Sequence, residues 1–246
     1  MTGSFPFVLG TAAVGAAGAL TAQGGALSLT GFPSASPAFH PGGRYLFVPS
    51  ADPNALAVFS FDPANGVLRA TGANAAAPDR PRWASVDPSG RFLYLTTATP
   101  FSSNTLFLYQ VNAATGALTR SAGSGFDPAF DPDAANLRAG TVTVDLAGRF
   151  AYVWDTPGRT GARSLGYSVF PIQAGGRLGP ARTGPFTTRG GDPGAIALDP
   201  SGRFAFVLDA AGEVSSFTID AATGALRLSS EPTATGSYPQ AIVVVP

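Results

Sequence analysis

Cysteine is absent from this chain of 246 residues, which excludes disulfides, thiol nucleophiles and thiolate zinc sites. Lysine is absent too, so all 15 basic residues are arginines, and 15 acids balance them to a net charge of zero. No overall field draws the protein to nucleic acid or to an acidic membrane surface. Histidine occurs once, at His40, which leaves a Ser-His-Asp or Cys-His device almost nothing to be built from. No uninterrupted apolar run reaches 18 residues, the length at which a helix spans a bilayer. The apolar start, MTGSFPFVLGTAAVGAAGAL, lacks a basic n-region and reads as folded repeat rather than as a signal peptide. The expectation is a soluble chain; composition does not address its compartment.

What the chain has in quantity is turn-forming residues, 31 glycines and 22 prolines, and they are periodic. Gly3, Gly43, Gly90, Gly148 and Gly202 each precede an aromatic and aliphatic run, such as Tyr45-Leu46-Phe47-Val48 or Phe204-Ala205-Phe206-Val207. A second series, Gly25, Gly66, Gly116, Gly176 and Gly224, stands two residues before a leucine in every copy. A glycine at the same place in each copy points to a turn that needs positive φ or a side-chain-free approach.

Each copy reads as four short strands, a to d. Strand a is small and apolar (Pro37–Phe39, Trp83–Val86, Thr141–Val144, Ala195–Leu198) and ends in a tight turn such as Asp199-Pro200-Ser201-Gly202. Strand b is the aromatic run. Strand c covers Ala55–Phe61, Thr105–Val111, Leu165–Ile172 and Val214–Ile219, and d follows the second glycine series. In the first copy, strand c falls near Ala16–Ala22 and has few large side chains. Four antiparallel strands at this period predict an all-β fold, a five-bladed β-propeller in one domain. The blades fall at about 1–36 plus 238–246, 37–80, 81–138, 139–191 and 192–237. The first copy lacks a strand a, and residues 240–246 read as a strand a with no strand b after it. Their pairing beside Phe5–Leu9 would close the ring and remove an exposed edge.

The runs DPSGRFLYL at 87–95 and NTLFLYQVNAATGALT at 104–119, with their copies, resemble the YVTN-type repeat of lactonase-like β-propellers, which include the bacterial 6-phosphogluconolactonase type. The resemblance covers essentially the whole chain. It implies a propeller fold and, by extension, lactone hydrolysis. Family members usually have seven blades, whereas this sequence holds material for five.

In a propeller, the d–a and b–c loops converge over one mouth of the channel. That face collects Arg80, Arg82, Arg138, Arg159, Arg163 and Arg189, a set able to hold a phosphate or carboxylate bidentately, with Trp83, Phe101, Trp154 and Phe186 as apolar walls. The longest d–a loop carries Asp127, Asp131 and Asp133, hard oxygen donors for calcium but without the glycine and bidentate glutamate of an EF-hand. No other cofactor is implied. His40 falls in an a–b turn, on the opposite face, where the other copies have Asp87, Asp145 and Asp199; it reads as a turn residue. Arg44, Arg91, Arg149 and Arg203 recur after the turn glycines and read as blade-to-blade contacts. Ser85, Thr141 and Thr143 of strand a are expected to line the channel.

Three functions fit these residues: a scaffold binding a small molecule or protein at the channel mouth, preferred on residues alone; a lactone hydrolase, implied by the resemblance; and a purely structural ring. A hydrolase would combine Asp127, Asp131 or Asp133 with Arg80, Arg82, Arg138 or Arg189. Deleting residues 238–246 is expected to unfold or dimerise the protein by baring an edge strand; an unchanged melting temperature and a monomeric elution profile would refute the closure.

Overall fold

A computed structural model describes residues 7–15, 19–29, 37–51, 53–78, 80–97, 106–122, 138–156, 166–180, 183–186, 188, 193–209, 211–236, 242 and 244. Among these the structure is antiparallel β throughout, with one short 3-10 turn at Ala174–Gly176. Sheet I pairs β1 (Phe7–Val14) with β2 (Leu20–Leu29). Sheet II is the meander β3 (Ala38–Phe39), β4 (Tyr45–Ala51), β5 (Asn54–Asp62), β6 (Val67–Ala70), with β7 (Ala75–Ala76) also on β5. Sheet III runs β8 (Pro81–Val86), β9 (Phe92–Thr97), β10 (Leu106–Val111), β11 (Leu118–Arg120). Sheet IV runs β12 (Arg138–Val144), β13 (Phe150–Thr156), β14 (Gly166–Pro171), β15 (Thr183–Phe186). Sheet V runs β16 (Pro193–Leu198), β17 (Phe204–Asp209), β18 (Glu213–Ile219), β19 (Leu226–Leu228), with β20 (Thr233–Ala234) also on β18. The expected a-b-c-d order holds in sheets II to V, as four-stranded blades of a β-propeller.

The apolar core lies between sheets, not within them. Leu93 and Leu95 of β9 pack with Phe47 and Val58 of sheet II, while Tyr94 between them packs with Val142 and Val153 of sheet IV. Alternate side chains thus enter opposite seams, which is why strand b is apolar at every position instead of alternating. Clusters of the same kind fill the IV–V seam around Tyr152, Tyr167 and Phe217, and the I–II seam around Leu46 and Phe59.

Each seam is latched at the c–d turn. Tyr94 donates its hydroxyl to the carbonyl of Gly176 (2.7 Å), Tyr152 to that of Gly224 (3.0 Å) and Tyr45 to that of Ala114 (2.5 Å), always one sheet onward. The Phe92 ring lies over Gly176, where an added Cβ would stand 2.5 Å from Phe92 Cγ and φ is +78°. Glycine is required there twice over, by backbone conformation and by the ring. Arg149 reaches the carbonyl of Ala221 (2.8 Å) in sheet V, the blade-to-blade contact expected of it. Arg91, Arg149 and Arg203 also lie over the rings of Phe92, Phe150 and Phe204, 5.3–5.4 Å from their centroids.

The a–b turns are held by the aspartates at their start. Asp87 Oδ1 accepts the Phe92 N–H (2.8 Å) and Oδ2 accepts the Ser89 N–H (3.1 Å). Asp199 does the same through Phe204 and Ser201. Burial raises the Asp199 pKa, but the Ser201 hydroxyl and three backbone N–H groups outweigh it and hold the carboxyl below its usual value. His40 replaces the aspartate in sheet II. Its Nδ1 accepts the Gly42 N–H (2.9 Å), which places the proton on Nε2, and Nε2 donates to the Gly90 carbonyl of sheet III (3.1 Å). The histidine is thus a satisfied turn residue that reaches across a seam.

Three expectations need correction. Gly25 does not form a tight turn between two strands: it lies inside β2, opposite an irregularity between Leu9 and Thr11. The described part of the first copy's strand c begins at Leu20, in a hairpin whose Val14 and Leu20 are 72% and 73% exposed. In sheet IV, Leu178 makes only an isolated bridge to Ile172, and strand d proper is β15. The closing pairing of residues 240–246 beside Phe5–Leu9 falls almost wholly outside the described residues.

Gly90 adopts φ +72°, and an added Cβ would stand 2.5 Å from His40 Nε2. Gly90→Ala is expected to cost about 2–4 kcal/mol, combining left-handed strain with overpacking, and to lower the melting temperature by about 10 °C. In the His40→Ala background the same substitution should cost less; additive effects in that double-mutant cycle would show that the ring does not constrain Gly90.

Burial pushes the Tyr109 hydroxyl up to about 12, and burial raises Tyr94, Tyr152 and Tyr167 further. Folded values above the unfolded value near 10 mean that this stability is fully present below pH 10 and is lost as pH climbs toward 12. Denaturant unfolding from pH 9 to 12 should show that decline, smaller in Tyr109→Phe; buried tyrosines titrating near pH 10 in the folded protein would contradict it.

Candidate functional site

The strands a of sheets II, III and IV meet around a cavity of about 270 Å³ lined by Phe39, Trp83, Ser85, Val86, Val142 and Thr143 among others. Two of the three hydroxyls expected there are in place. Thr141 is not: it is buried, with its Oγ1 3.1 Å from the Tyr167 hydroxyl within sheet IV. The lining side chains are aromatic and aliphatic with two hydroxyls, so the cavity can meet an apolar face and orient a few polar atoms.

The loop-side ends of β8, β12 and β16 are irregular. In β8 the register slips between Pro81, opposite Thr97, and Trp83, opposite Thr96, which makes Arg82 the extra residue of a bulge. The same slip occurs in β16, where the extra residue is Gly194, and in β12 between Ala139 and Val142. A bulge re-aims the side chain it carries. Only the β8 bulge carries a long one, and Arg82 is exposed.

Arg80, two residues earlier, is exposed and has φ +40°, the sole non-glycine positive φ among the described residues. Its N–H donates to Asn54 Oδ1 (2.9 Å), while the Asn54 carbonyl accepts the Ala77 N–H (3.1 Å). Asn54 thus ties the II–III connection to the β4–β5 turn and holds Arg80 in a strained conformation, a feature that gathers at functional sites. Reading by residue type passed over Asn54, because an asparagine at a strand start looks like any other turn residue.

Arg138 opens β12, opposite Thr156, with Ala139 opposite Asp155. Because β8 and β12 are neighbouring inner strands, the backbone brings Arg80, Arg82 and Arg138 to the same end of adjacent strands. Trp83 joins them: it lines the cavity and packs against the III–IV core. Trp154 is placed otherwise, partly buried in the IV–V seam with Phe186 and not in the cavity lining. Arg159, Arg163, Arg189, Phe101, Asp127, Asp131 and Asp133 lie outside the described residues. Among the described residues no three His, Cys, Asp or Glu side chains gather as a metal site, and no helix is long and apolar enough to cross a membrane.

Residues 29–129 match the family model described as lactonase, 7-bladed beta-propeller. No curated protein matches significantly. Among solved structures, a Lactobacillus plantarum protein superposes with a TM-score of 0.72 at 20% identity, covering 94% of this chain and 66% of its own. A Bacteroides fragilis protein, provisionally named a 6-phosphogluconolactonase, gives 0.67 at 17% identity, covering 93% and 65%. The periplasmic gluconolactonase of Pseudomonas aeruginosa gives 0.51 at 19%, covering 95% and 84%. The chain thus spans about two thirds of the length of the first two. The lactonase-type match spans sheets II and III, and the shared architecture along nearly all of its length shows that the chain has a β-propeller fold similar to those of these proteins.

Proposed function

We propose that the protein is a lactone hydrolase whose substrate sits over the inner-strand cavity at the loop-side mouth. One observation carries the reading: within the segment that matches the lactonase family, the β8 bulge presents an exposed arginine, Arg82, beside Trp83 at the edge of the cavity. The family match and the lactonase-named neighbours favour this reading over the binding scaffold that residue types alone preferred. The same reading takes the chain as one five-bladed ring, closed by residues 240–246 beside the first sheet.

Hydrolysis adds water to the ring carbonyl and breaks the acyl–oxygen bond, leaving a carboxylate and a hydroxyl. Negative charge grows on the carbonyl oxygen as water adds, and a pre-placed guanidinium stabilises it more in the transition state than in the ground state. Arg82 and Arg138 take that role, and Arg80 is a second cation for an acidic group on the substrate. The carboxylate that takes the water's proton is one of Asp127, Asp131 and Asp133 in the connection leading into β12. Trp83 supplies an apolar wall for a sugar face. If that connection binds calcium through the same aspartates, EDTA abolishes turnover without changing the role of Arg82.

Turnover of aldonolactones and their phosphorylated forms, followed by acid release, tests the reading. The wild type should hydrolyse at least one faster than buffer does. Arg82→Ala should lower kcat about 10²-fold with little change in melting temperature, because the side chain is exposed. A folded protein whose melting temperature rises with a lactone but which turns none over would restore the binding-scaffold reading.

A further inference from the structure

We propose that Asp209 and Ser215 form a buried binding notch for a single water molecule at the loop-side end of the IV–V seam. Asp209 is 2% exposed and Ser215 0%, and both Asp209 Oδ2 and Ser215 Oγ are buried with no protein partner. The other carboxylate oxygen is fully engaged: Oδ1 accepts the N–H groups of Ala211 (3.1 Å) and Glu213 (3.0 Å) and so holds the β17–β18 turn.

Register puts the two open atoms on one face. Val207 stands opposite Ser215 and Leu208 opposite Val214, so Asp209, two residues beyond Val207, shares a face with Ser215 as its diagonal neighbour. Such diagonal neighbours lie about 7–8 Å apart across the two strands, with their side chains closer, a gap that one water molecule bridges. The rest of that face, Ala205, Val207 and Phe217, is packed in the IV–V core with Tyr152, Tyr167 and Val169. A carboxylate oxygen and a hydroxyl in such surroundings are costly unless hydrogen-bonded. A water molecule donates to Asp209 Oδ2 and accepts from Ser215 Oγ, satisfying both.

The chemistry argues for water over a metal ion. Among the described residues the open donor set is one carboxylate oxygen and one hydroxyl, whereas calcium takes six to eight oxygens. The same residue types recur one blade earlier, where Val153 stands opposite Ser168 and Asp155 opposite Gly166. Sheets II and III have Ser50 with Ala57, and Thr97 with Phe107, at the equivalent places. The Asp–Ser pair is therefore no requirement of the repeat. In sheet V it sets the carboxylate that caps the β17–β18 turn against the buried face of the seam.

Ser215→Ala gives opposite results under the proposal and its rival. With a water in place, the substitution removes one of its partners and lowers the melting temperature by several degrees. Without one, it removes an orphan hydroxyl and leaves the melting temperature unchanged or higher, which overturns the proposal. A crystal structure should show density within about 2.7–3.2 Å of both atoms; a notch without density, or Asp209 Oδ2 turned to a protein donor, overturns it. A calcium-dependent rise in melting temperature that EDTA reverses and Asp209→Asn abolishes would replace water with a cation and equally overturn the claim.

Discussion

The structure depends on the seam between consecutive sheets. The strands b of sheets II, III and IV are buried on both faces, so half of their side chains belong to the seam before and half to the seam after. An aromatic ring and a tyrosine hydroxyl from one sheet close on the c–d turn of the next, as Phe92 and Tyr94 do at Gly176. The glycine that each copy repeats therefore belongs energetically to its neighbour. Tyr152 on Gly224 and Tyr45 on Ala114 repeat the arrangement; at the I–II seam, Thr11 bonds the Gly66 carbonyl in place of a tyrosine.

The two ends of the blades divide the work. The turn side is built from short, fully hydrogen-bonded turns: Asp87, Asp145 and Asp199 cap their own chain, and His40 does so while bonding Gly90. The pKa shifts of Tyr94, Tyr152 and Asp199 follow from that packing and capping. The loop side departs from the repeat, with a strained Arg80, a bulged Arg82 and the Asp209 carboxylate set into a seam. Regularity on one side gives a rigid base; irregularity on the other is where individual side chains are aimed.

Against these elements, strands b and c were legible because their cause is local and repeated: a tight turn, an apolar run, a second turn. Predicted strand c at 55–61 and 214–219 became β5 and β18 to within a residue at either end. The first copy was less legible, because small residues at 12–26 fit a turn or a strand equally well, and β2 runs through Gly25. Among candidate residues, the shared end of neighbouring inner strands that carries Arg80, Arg82 and Arg138 could be read from blade topology. Thr141 could not be sorted from Thr143, because one bulge decides which way an inner-strand side chain faces, and Trp154, on β13, faces the IV–V seam.

By itself the sequence determined the all-β class, the strand order within a blade, the turn glycines and the exclusion of thiol chemistry, since composition and local periodicity are properties of the chain alone. Only the tertiary structure decided that His40 bonds the Gly90 carbonyl, that Asn54 holds Arg80 in its conformation, and that Asp209 and Ser215 share a buried face. Each of those pairings joins residues from different strands or sheets, and its energy comes from geometry that exists only once the seams have closed.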